Sequence, residues 1–188
     1  MSVTQIRRLA RDVGHDHDLA LALWDTGVHE ARILASILAD PARVTPETAD
    51  QWTASFDSWD IVDQFCLNLF WRLPFASAMV EKYCASKVEF VRRTGLSLVA
   101  AMAFKNKRAS NVDLAAFIPL VTAAAARDDR NFVKKAASWA LRQLGKRSPT
   151  LKAQAVAAAE GLRTAYPKER AARWVAADVL RELTGGSV

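Results

Sequence analysis

Residues 135–141 read KAASWAL, a basic residue followed by small and apolar side chains, and this pattern recurs along the chain. Residues 32–38 read RILASIL, and residues 93–99 read RTGLSLV. Residues 173–179, RWVAADV, follow the same plan more loosely, and residues 63–69, DQFCLNL, form a copy that opens with an acid. Repetition of one helical pattern predicts a structure built from repeated units.

The spacing of the five copies indicates the architecture. Their first residues lie 31, 30, 42 and 38 positions apart, the length of a helix pair with its loops. Alanine, the strongest helix former, supplies 35 of the 188 residues, and no alternating run rich in β-branched residues is present. We therefore predict an all-α, HEAT-like helical-repeat α-solenoid, a superhelix with a concave basic cleft, forming a single domain over residues 1–188. The periodicity also predicts one continuous helix over residues 111–126.

Composition restricts the classes of protein to which the chain can belong. Residues 1–70 hold 5 basic and 11 acidic side chains, whereas residues 71–188 hold 21 and 9, which favours a polyanion as partner of the basic part. Nucleic acid is the commonest such partner, and a membrane surface is the alternative. Two cysteines, Cys66 and Cys84, exclude a disulfide framework and favour the cytoplasm. No apolar run reaches the roughly 18 residues of a membrane span. Motifs of phosphate-binding loops and serine hydrolases are absent.

One position breaks the charge pattern of the repeats. Equivalent positions of a solenoid line one face, so the first residues of the motifs form a stripe of Arg32, Asp63, Arg93, Lys135 and Arg173. Four cations suit a phosphate backbone, whereas the carboxylate of Asp63 repels it. A group set against its electrostatic surroundings is a candidate for function. The alternative interpretation is a structural ion pair between Asp63 and Arg32 or Arg93.

Two tryptophans favour the functional interpretation. Trp59 lies four residues before Asp63 and Trp139 four residues after Lys135, so each shares a helix face with a stripe position. Together they are expected to flank the carboxylate in one cleft. The other four tryptophans are expected to be core or helix-packing residues: Trp24, Trp52, Trp71 and Trp174.

Several segments resemble the bacterial DNA alkylation repair family, the AlkD-like, HEAT-repeat alkylpurine DNA glycosylases. These segments are DSWDIVD at 57–63, FVRR at 90–93 and NFVKKAASWALR at 131–142, with LALALW at 19–24 and HEAR at 29–32. The resemblance runs from about residue 3 to the end. Family members carry additional N-terminal helices that this chain is expected to lack.

The resemblance implies a role for each matching residue. Asp63 corresponds to the catalytic carboxylate, and Trp59 and Trp139 to the aromatic pair beside the sugar of the damaged nucleotide. Arg93 corresponds to an arginine that holds a backbone phosphate. Further expected DNA contacts are Arg142, Lys135, Lys134 and Arg92. The implied activity is hydrolysis of the N-glycosidic bond of N3- and N7-alkylated purines in double-stranded DNA by a cytoplasmic, nucleoid-associated monomer, without metal or cofactor and without flipping the base into a pocket.

Elementary chemistry agrees with that activity. An N3- or N7-alkylated purine is cationic and leaves as a neutral base, so no general acid is required. Bond cleavage builds positive charge on the sugar, and one carboxylate can stabilise that charge and orient a water molecule. Two alternatives stay open: a DNA-binding HEAT protein without catalysis, and a protein-interaction scaffold, the latter disfavoured by the basic charge of residues 71–188.

Overall fold

A computed structural model describes residues 1–185, which form twelve α-helices and one 3₁₀ turn and contain no strand. The helices are α1 Val3–Val13, α2 His17–Asp25, α3 His29–Leu38, α4 Pro46–Ala54, α5 Trp59–Asn68, α6 Ala76–Cys84, α7 Glu89–Lys105, α8 Asn111–Ala115, α9 Ile118–Arg127, α10 Asn131–Arg147, α11 Pro149–Ala165 and α12 Arg170–Thr184; the 3₁₀ turn is Phe70–Arg72. Within this part of the chain, no helix combines the length and the apolarity needed to cross a bilayer.

The five motif copies lie on five helices that pack side by side. We call α3, α5, α7, α10 and α12 the inner helices, because α5 packs between α3 and α7, and α10 packs between α7 and α12. Other helices cover this row: α2 packs on α3, α6 on α7, and α9 and α11 on α10 and α12. The predicted all-α, HEAT-like repeat architecture is confirmed, and neighbouring motifs lie on neighbouring helices.

Residues 111–126 form two helices where the periodicity predicted one. α8 ends at Ala115, and α9 begins at Ile118 with Pro119 in its first turn. Proline has no N–H to donate, and its ring clashes with the carbonyl four residues earlier, which here is the carbonyl of Ala115. The apolar periodicity continues across this break, so hydrophobic spacing alone could not reveal it.

An aromatic cluster fixes the orientation of α5. The ring of Phe65 is fully buried and lies 5.2 Å from Trp24 and 5.3 Å from Trp52 between centroids, in edge-on contacts. Burial of Trp24 and Trp52 confirms them as core residues. Because Phe65 and Cys66 face the core, Asp63 is turned toward the neighbouring inner helix α7 rather than toward solvent.

Of the four tryptophans expected to be core or helix-packing residues, Trp174 does not lie in the core. Its side chain is 38% exposed on α12, whereas Trp71 is half-buried and its indole nitrogen donates to the carbonyl of Leu67. Trp174 directly follows the stripe position Arg173 on the inner helix α12. Cys66 and Cys84 are buried free thiols.

Gly95 allows α6 and α7 to approach closely, and its replacement tests that contact. A methyl group at Gly95 would lie 2.6 Å from the backbone nitrogen of Cys84 and 3.0 Å from the backbone carbon of Tyr83. Since backbone atoms cannot move aside independently, we expect Gly95→Ala to lower the free energy of unfolding by about 1–3 kcal/mol.

A matched glycine on α11 provides the control. Gly161 has no neighbouring atom within 4 Å of an added methyl group, so Gly161→Ala should raise the free energy of unfolding by up to about 1 kcal/mol through helix propensity. Urea denaturation measures the free energy of unfolding of both variants. Equal stability of the two variants would contradict the close approach of α6 and α7.

Candidate active site

Asp63 lies one turn after Trp59 on α5 and faces α7. The Nη2 of Arg93 donates to Oδ2 of Asp63 at 2.8 Å, and the Oγ of Ser97 donates to Oδ1 at 2.9 Å. Arg93 and Ser97 are four residues apart, so both project from one face of α7. Both carboxylate oxygens are thereby fixed, while 16% of the Asp63 side chain stays exposed.

The guanidinium of Arg93 joins three inner helices at this point. Besides its ion pair with Asp63, its Nη1 donates to the backbone carbonyl of Phe132 at the start of α10, at 2.7 Å. The Cζ of Arg93 lies 5.9 Å from the ring centroid of Trp59, within the range of a cation–π contact. Since the Arg93 side chain is only 6% exposed, α5, α7 and α10 meet around a buried cation.

This geometry selects one of the two ion-pair partners that the sequence left open. Asp63 pairs with Arg93. The Cζ of Arg32 instead lies 4.5 Å from the ring centroid of Trp24, and its Nη1 lies 3.6 Å from Oδ2 of Asp57. The expected phosphate contact of Arg93 does not fit its position, because both terminal nitrogens of the buried guanidinium are engaged inside the protein. Arg93 is placed to orient the carboxylate of Asp63.

Burial and charge act in opposite directions on the ionisation of Asp63. Loss of solvent raises the pKa of this carboxyl, since burial disfavours the charged form. The charge and hydrogen bond of Arg93, together with the hydrogen bond of Ser97, lower it but offset only part of the burial effect. The pKa of Asp63 therefore lies above the ordinary aspartate value.

Of the expected aromatic pair, Trp59 contacts this cluster through Arg93, whereas Trp139 lies on α10. Trp59 is the first residue of α5 and is 51% exposed, so one indole face is available beside the Arg93–Asp63 pair. Trp139 is half-buried on α10, two inner helices away from α5, and packs against the core. The structure thus brings Trp59, Asp63 and Arg93 together.

The other expected DNA contacts differ in how available their charges are. Three already contact acidic side chains, in the pairs Arg92–Asp128 at 2.8 Å, Lys134–Asp129 at 2.9 Å and Arg142–Glu182 at 3.2 Å. Lys135 is exposed and has no ion pair within residues 1–185. Among these residues, Lys135 presents the charge that is most available to a phosphate.

Arg92 has a structural function next to the site. Its Nε donates to the carbonyl of Ser86 at 2.7 Å, and its Nη1 donates to Asp128 at 2.8 Å, which connects the loop before α7 to the loop before α10. Burial opposes ionisation of Asp128, but hydrogen bonds from Arg130 and Arg92 outweigh it and hold the pKa of that carboxyl below its ordinary value. The start of α10, which receives the Arg93 hydrogen bond, is fixed in this way.

A second buried carboxylate was not found from the sequence. Asp178 on α12 accepts a hydrogen bond from Ser138 at 2.6 Å, lies 3.5 Å from Nε of Arg142 and is 14% exposed. Arg181 contacts the same carboxylate, so the partners of Asp178, a serine and two arginines, are of the same residue types as those of Asp63. The sequence feature that could have indicated Asp178 is an acid within the motif copy at residues 173–179. Asp178 is not the first residue of that copy, so it does not belong to the stripe.

Both a protein family and a solved structure are similar to this chain, and both are consistent with the helical-repeat fold. The family model described as DNA alkylation repair enzyme matches residues 1–182. One solved structure has a TM-score of 0.75 at 20% sequence identity, over 85% of this chain and 68% of that chain. It is described as a new family of proteins related to the HEAT-like repeat DNA glycosylases with affinity for branched DNA structures. At this identity the likeness shows the fold. No curated protein matches the chain.

Replacing Arg93 tests its control of Asp63. Arg93→Met keeps the burial of the carboxyl but removes the cation, so the pKa of Asp63 should rise further above its already raised value. Titration of the carboxyl carbon by NMR measures this directly. Arg92→Met, which removes a neighbouring cation paired with Asp128, should leave the pKa of Asp63 unchanged. A pKa of Asp63 that is equal or lower in Arg93→Met would contradict the assignment.

The raised pKa also fixes the sign of a stability effect. The folded chain binds this proton more tightly than the unfolded chain, so the contribution of Asp63 to stability is present below the ordinary aspartate pKa. It is lost as the pH rises through the raised pKa. Arg93→Met should therefore be less stable than the wild type at neutral pH, and the difference should shrink in acid.

Proposed function

The chain belongs to the DNA alkylation repair enzyme family, and from this premise we propose that it is a DNA glycosylase. Its proposed substrates are N3- and N7-alkylated purines in duplex DNA, and its reaction is hydrolysis of their N-glycosidic bond. The observation that carries this proposal is the carboxylate of Asp63, fixed through both oxygens yet still partly exposed beside the open indole face of Trp59.

The substrate reduces the chemistry that the protein must supply. The alkylated purine is already cationic, so the leaving group needs no proton. As the glycosidic bond breaks, positive charge develops on the deoxyribose, in a transition state that resembles an oxocarbenium ion. A catalyst therefore needs a negative charge close to the sugar and a positioned water molecule, and one carboxylate provides both.

Asp63 fits this requirement because its carboxylate is held before substrate arrives. Arg93 and Ser97 each donate to a different oxygen, and each oxygen retains capacity to accept a further hydrogen bond, which allows Asp63 to orient water. In a site with little solvent, a fixed charge stabilises a developing charge more strongly than in water. Arg93 and Ser97 are positioning residues in this scheme.

The indoles provide a second stabilising contribution. Trp59 is exposed next to the Asp63 cluster, and its π face attracts the positive charge that develops on the sugar. Trp139 is proposed to pack beside the same nucleotide from α10. Because it is half-buried and two inner helices away, this role requires the DNA backbone to lie across the inner helices.

Binding of DNA is proposed to depend on cations that are not engaged in ion pairs. Lys135 is exposed on α10, and the stripe continues with Arg173 on α12, which is also exposed. Contacts of this kind to phosphates supply sequence-independent affinity. The related structure is described as having affinity for branched DNA, which supports nucleic acid as the class of partner.

The alternative function is DNA binding without base removal. It is favoured by one observation, since the Asp63–Arg93 contact is also the geometry of a structural ion pair that joins two helices. The affinity of the related structure for branched DNA is compatible with this alternative. Only a measurement of base release separates the two functions.

Asp63→Asn tests the catalytic role. The substitution keeps the shape of the side chain and removes its charge, so release of 7-methylguanine from methylated duplex DNA should fall by about 100- to 1,000-fold. Affinity for the duplex should stay close to that of the wild type, because Asp63 is not proposed to bind phosphate. Chromatography of the released base and fluorescence anisotropy measure the two quantities.

Asp178→Asn is the matched control. It removes a carboxylate of similar exposure that also contacts a serine and arginines, so it reproduces the loss of a partly buried charge away from Asp63. Base release by this variant should remain at the wild-type rate under conditions in which it is folded. Equal losses in both variants, or no base release by the wild type, would contradict the glycosylase proposal.

Two adjacent lysines test which cations contact the DNA backbone. Lys135→Gln should weaken binding to all duplexes and reduce the slope of log K against log salt by about 1, because one phosphate contact is lost. Lys134→Gln should change the slope less, since Lys134 is paired with Asp129. Anisotropy titrations across a salt series measure both. A larger change for Lys134 would contradict the proposed assignment.

A further inference from the structure

A cavity of about 480 Å³ lies away from Asp63, between the starts of α10 and α12 and the end of α11. Its volume is within the roughly 300–1,000 Å³ of sites that hold small molecules. Lys134, Arg163, Arg170 and Arg173 contribute four cations to its lining, and Trp174 contributes an aromatic wall. Lys134 is among the expected DNA contacts and Arg173 belongs to the stripe of first residues, whereas Arg163, Arg170 and Trp174 have no part in the site already described.

The cavity has an excess of positive charge. Its acidic residue, Asp129, contacts Lys134 at 2.9 Å and lies 3.7 Å from Arg170. Arg163 and Arg173 are exposed and form no ion pair within residues 1–185. With four cations and one carboxylate, the lining carries a net charge of +3. Arg163 and Arg173 can bind an anion without breaking an existing ion pair.

The cavity is also apolar on one side. Trp174 is 38% exposed, Ala177 lies one turn later on the same face of α12, and the buried Leu180 also lines the cavity. A small residue beside an indole leaves the aromatic face open to a flat ligand. Phosphate alone would not use this surface, and a purely apolar ligand would not use the arginines. Nucleotides combine a flat base with a phosphate.

The start of α10 contributes to both this cavity and the Asp63 cluster. Phe132 accepts the hydrogen bond of Arg93, and Asp129 and Lys134, which flank Phe132 in sequence, line the cavity. A DNA strand that passes Asp63 along the inner helices would therefore reach this cavity next.

We propose that the cavity binds an unpaired nucleotide of the bound DNA. The base stacks on the indole of Trp174, and Arg163 and Arg173 contact its phosphate. Stacking of this kind is largely independent of base identity, and it requires a nucleotide that is not held in a base pair. This inference rests on the DNA-binding part of the proposed function and does not depend on base release.

The test compares three DNA ligands of the same duplex sequence by fluorescence anisotropy. One is blunt, one carries a short single-stranded adenine tail, and one carries a tail of the same length made of abasic sugar–phosphate. The wild-type chain should bind the adenine-tailed duplex about tenfold more tightly than the abasic-tailed duplex, the effect of one stacked base. Equal affinity for the two tailed duplexes would overturn the proposal.

Variants of Trp174 assign the effect to the cavity. Trp174→Ala should abolish the preference for the adenine tail and leave the affinity for blunt duplex unchanged, whereas Trp174→Phe should retain most of the preference. Because Trp174 is partly exposed, both variants are expected to fold. If Trp174→Ala lowers the affinity for all three ligands by the same factor, the indole is not a nucleotide site and the proposal fails.

Charge variants test the phosphate contact. Arg163→Gln should weaken binding of both tailed duplexes, while Lys152→Gln, which removes one exposed charge from the same helix at a position outside the cavity, should not. Equal effects of the two variants would overturn the assignment of Arg163.

A competition arm separates a nucleotide within DNA from a free nucleotide. Free dAMP should compete with the tail only at concentrations far above those of the tailed duplex, and it should leave blunt-duplex binding unchanged. If dAMP binds as tightly as the tailed duplex, the cavity is a site for free nucleotides and the DNA assignment is wrong. All these readouts are binding constants, so they are independent of whether the chain releases a base.

Discussion

The buried ion pair between Asp63 and Arg93 is the interaction on which the rest of the structure around the site depends. Desolvation of both charges is unfavourable, and close pairing with additional hydrogen bonds offsets it. Ser97 and the carbonyl of Phe132 supply those hydrogen bonds. Since the four residues come from α5, α7 and α10, the pair sets the relative positions of three inner helices while it holds one carboxylate near the surface.

The cations of the chain fall into two groups, according to whether they contact an acidic side chain. Arginines that contact buried carboxylates, such as Arg93 and Arg92, fix helices and loops and have little surface exposed. Cations without an acidic partner in the described residues, such as Lys135 and Arg173, remain available to a polyanion. The basic charge of the C-terminal part thus serves both stability and, as proposed, DNA binding, and residue type alone does not distinguish the two roles.

Much of the fold and the central acid could be predicted from sequence, because repeat spacing fixes which helices are neighbours. Asp63 could be identified because the same spacing aligns equivalent positions of the repeats, where it is the one acid among four basic residues. The direction of the Arg93 side chain could not be predicted, since it depends on the carbonyl of Phe132 and on burial between three helices. The exposure of Trp174 also depends on packing, because an indole beside an arginine occurs in cores and in binding sites alike.

The most direct test of the central claim is single-turnover release of 7-methylguanine by Arg93→Met at saturating enzyme, measured together with the Kd for the methylated duplex. If Arg93 acts by orienting Asp63, the rate constant should fall by about 100-fold, the effect of a displaced catalytic group, and the Kd should stay unchanged. An unchanged rate constant with a weakened Kd would show that Arg93 binds phosphate, and it would contradict the role assigned to the ion pair.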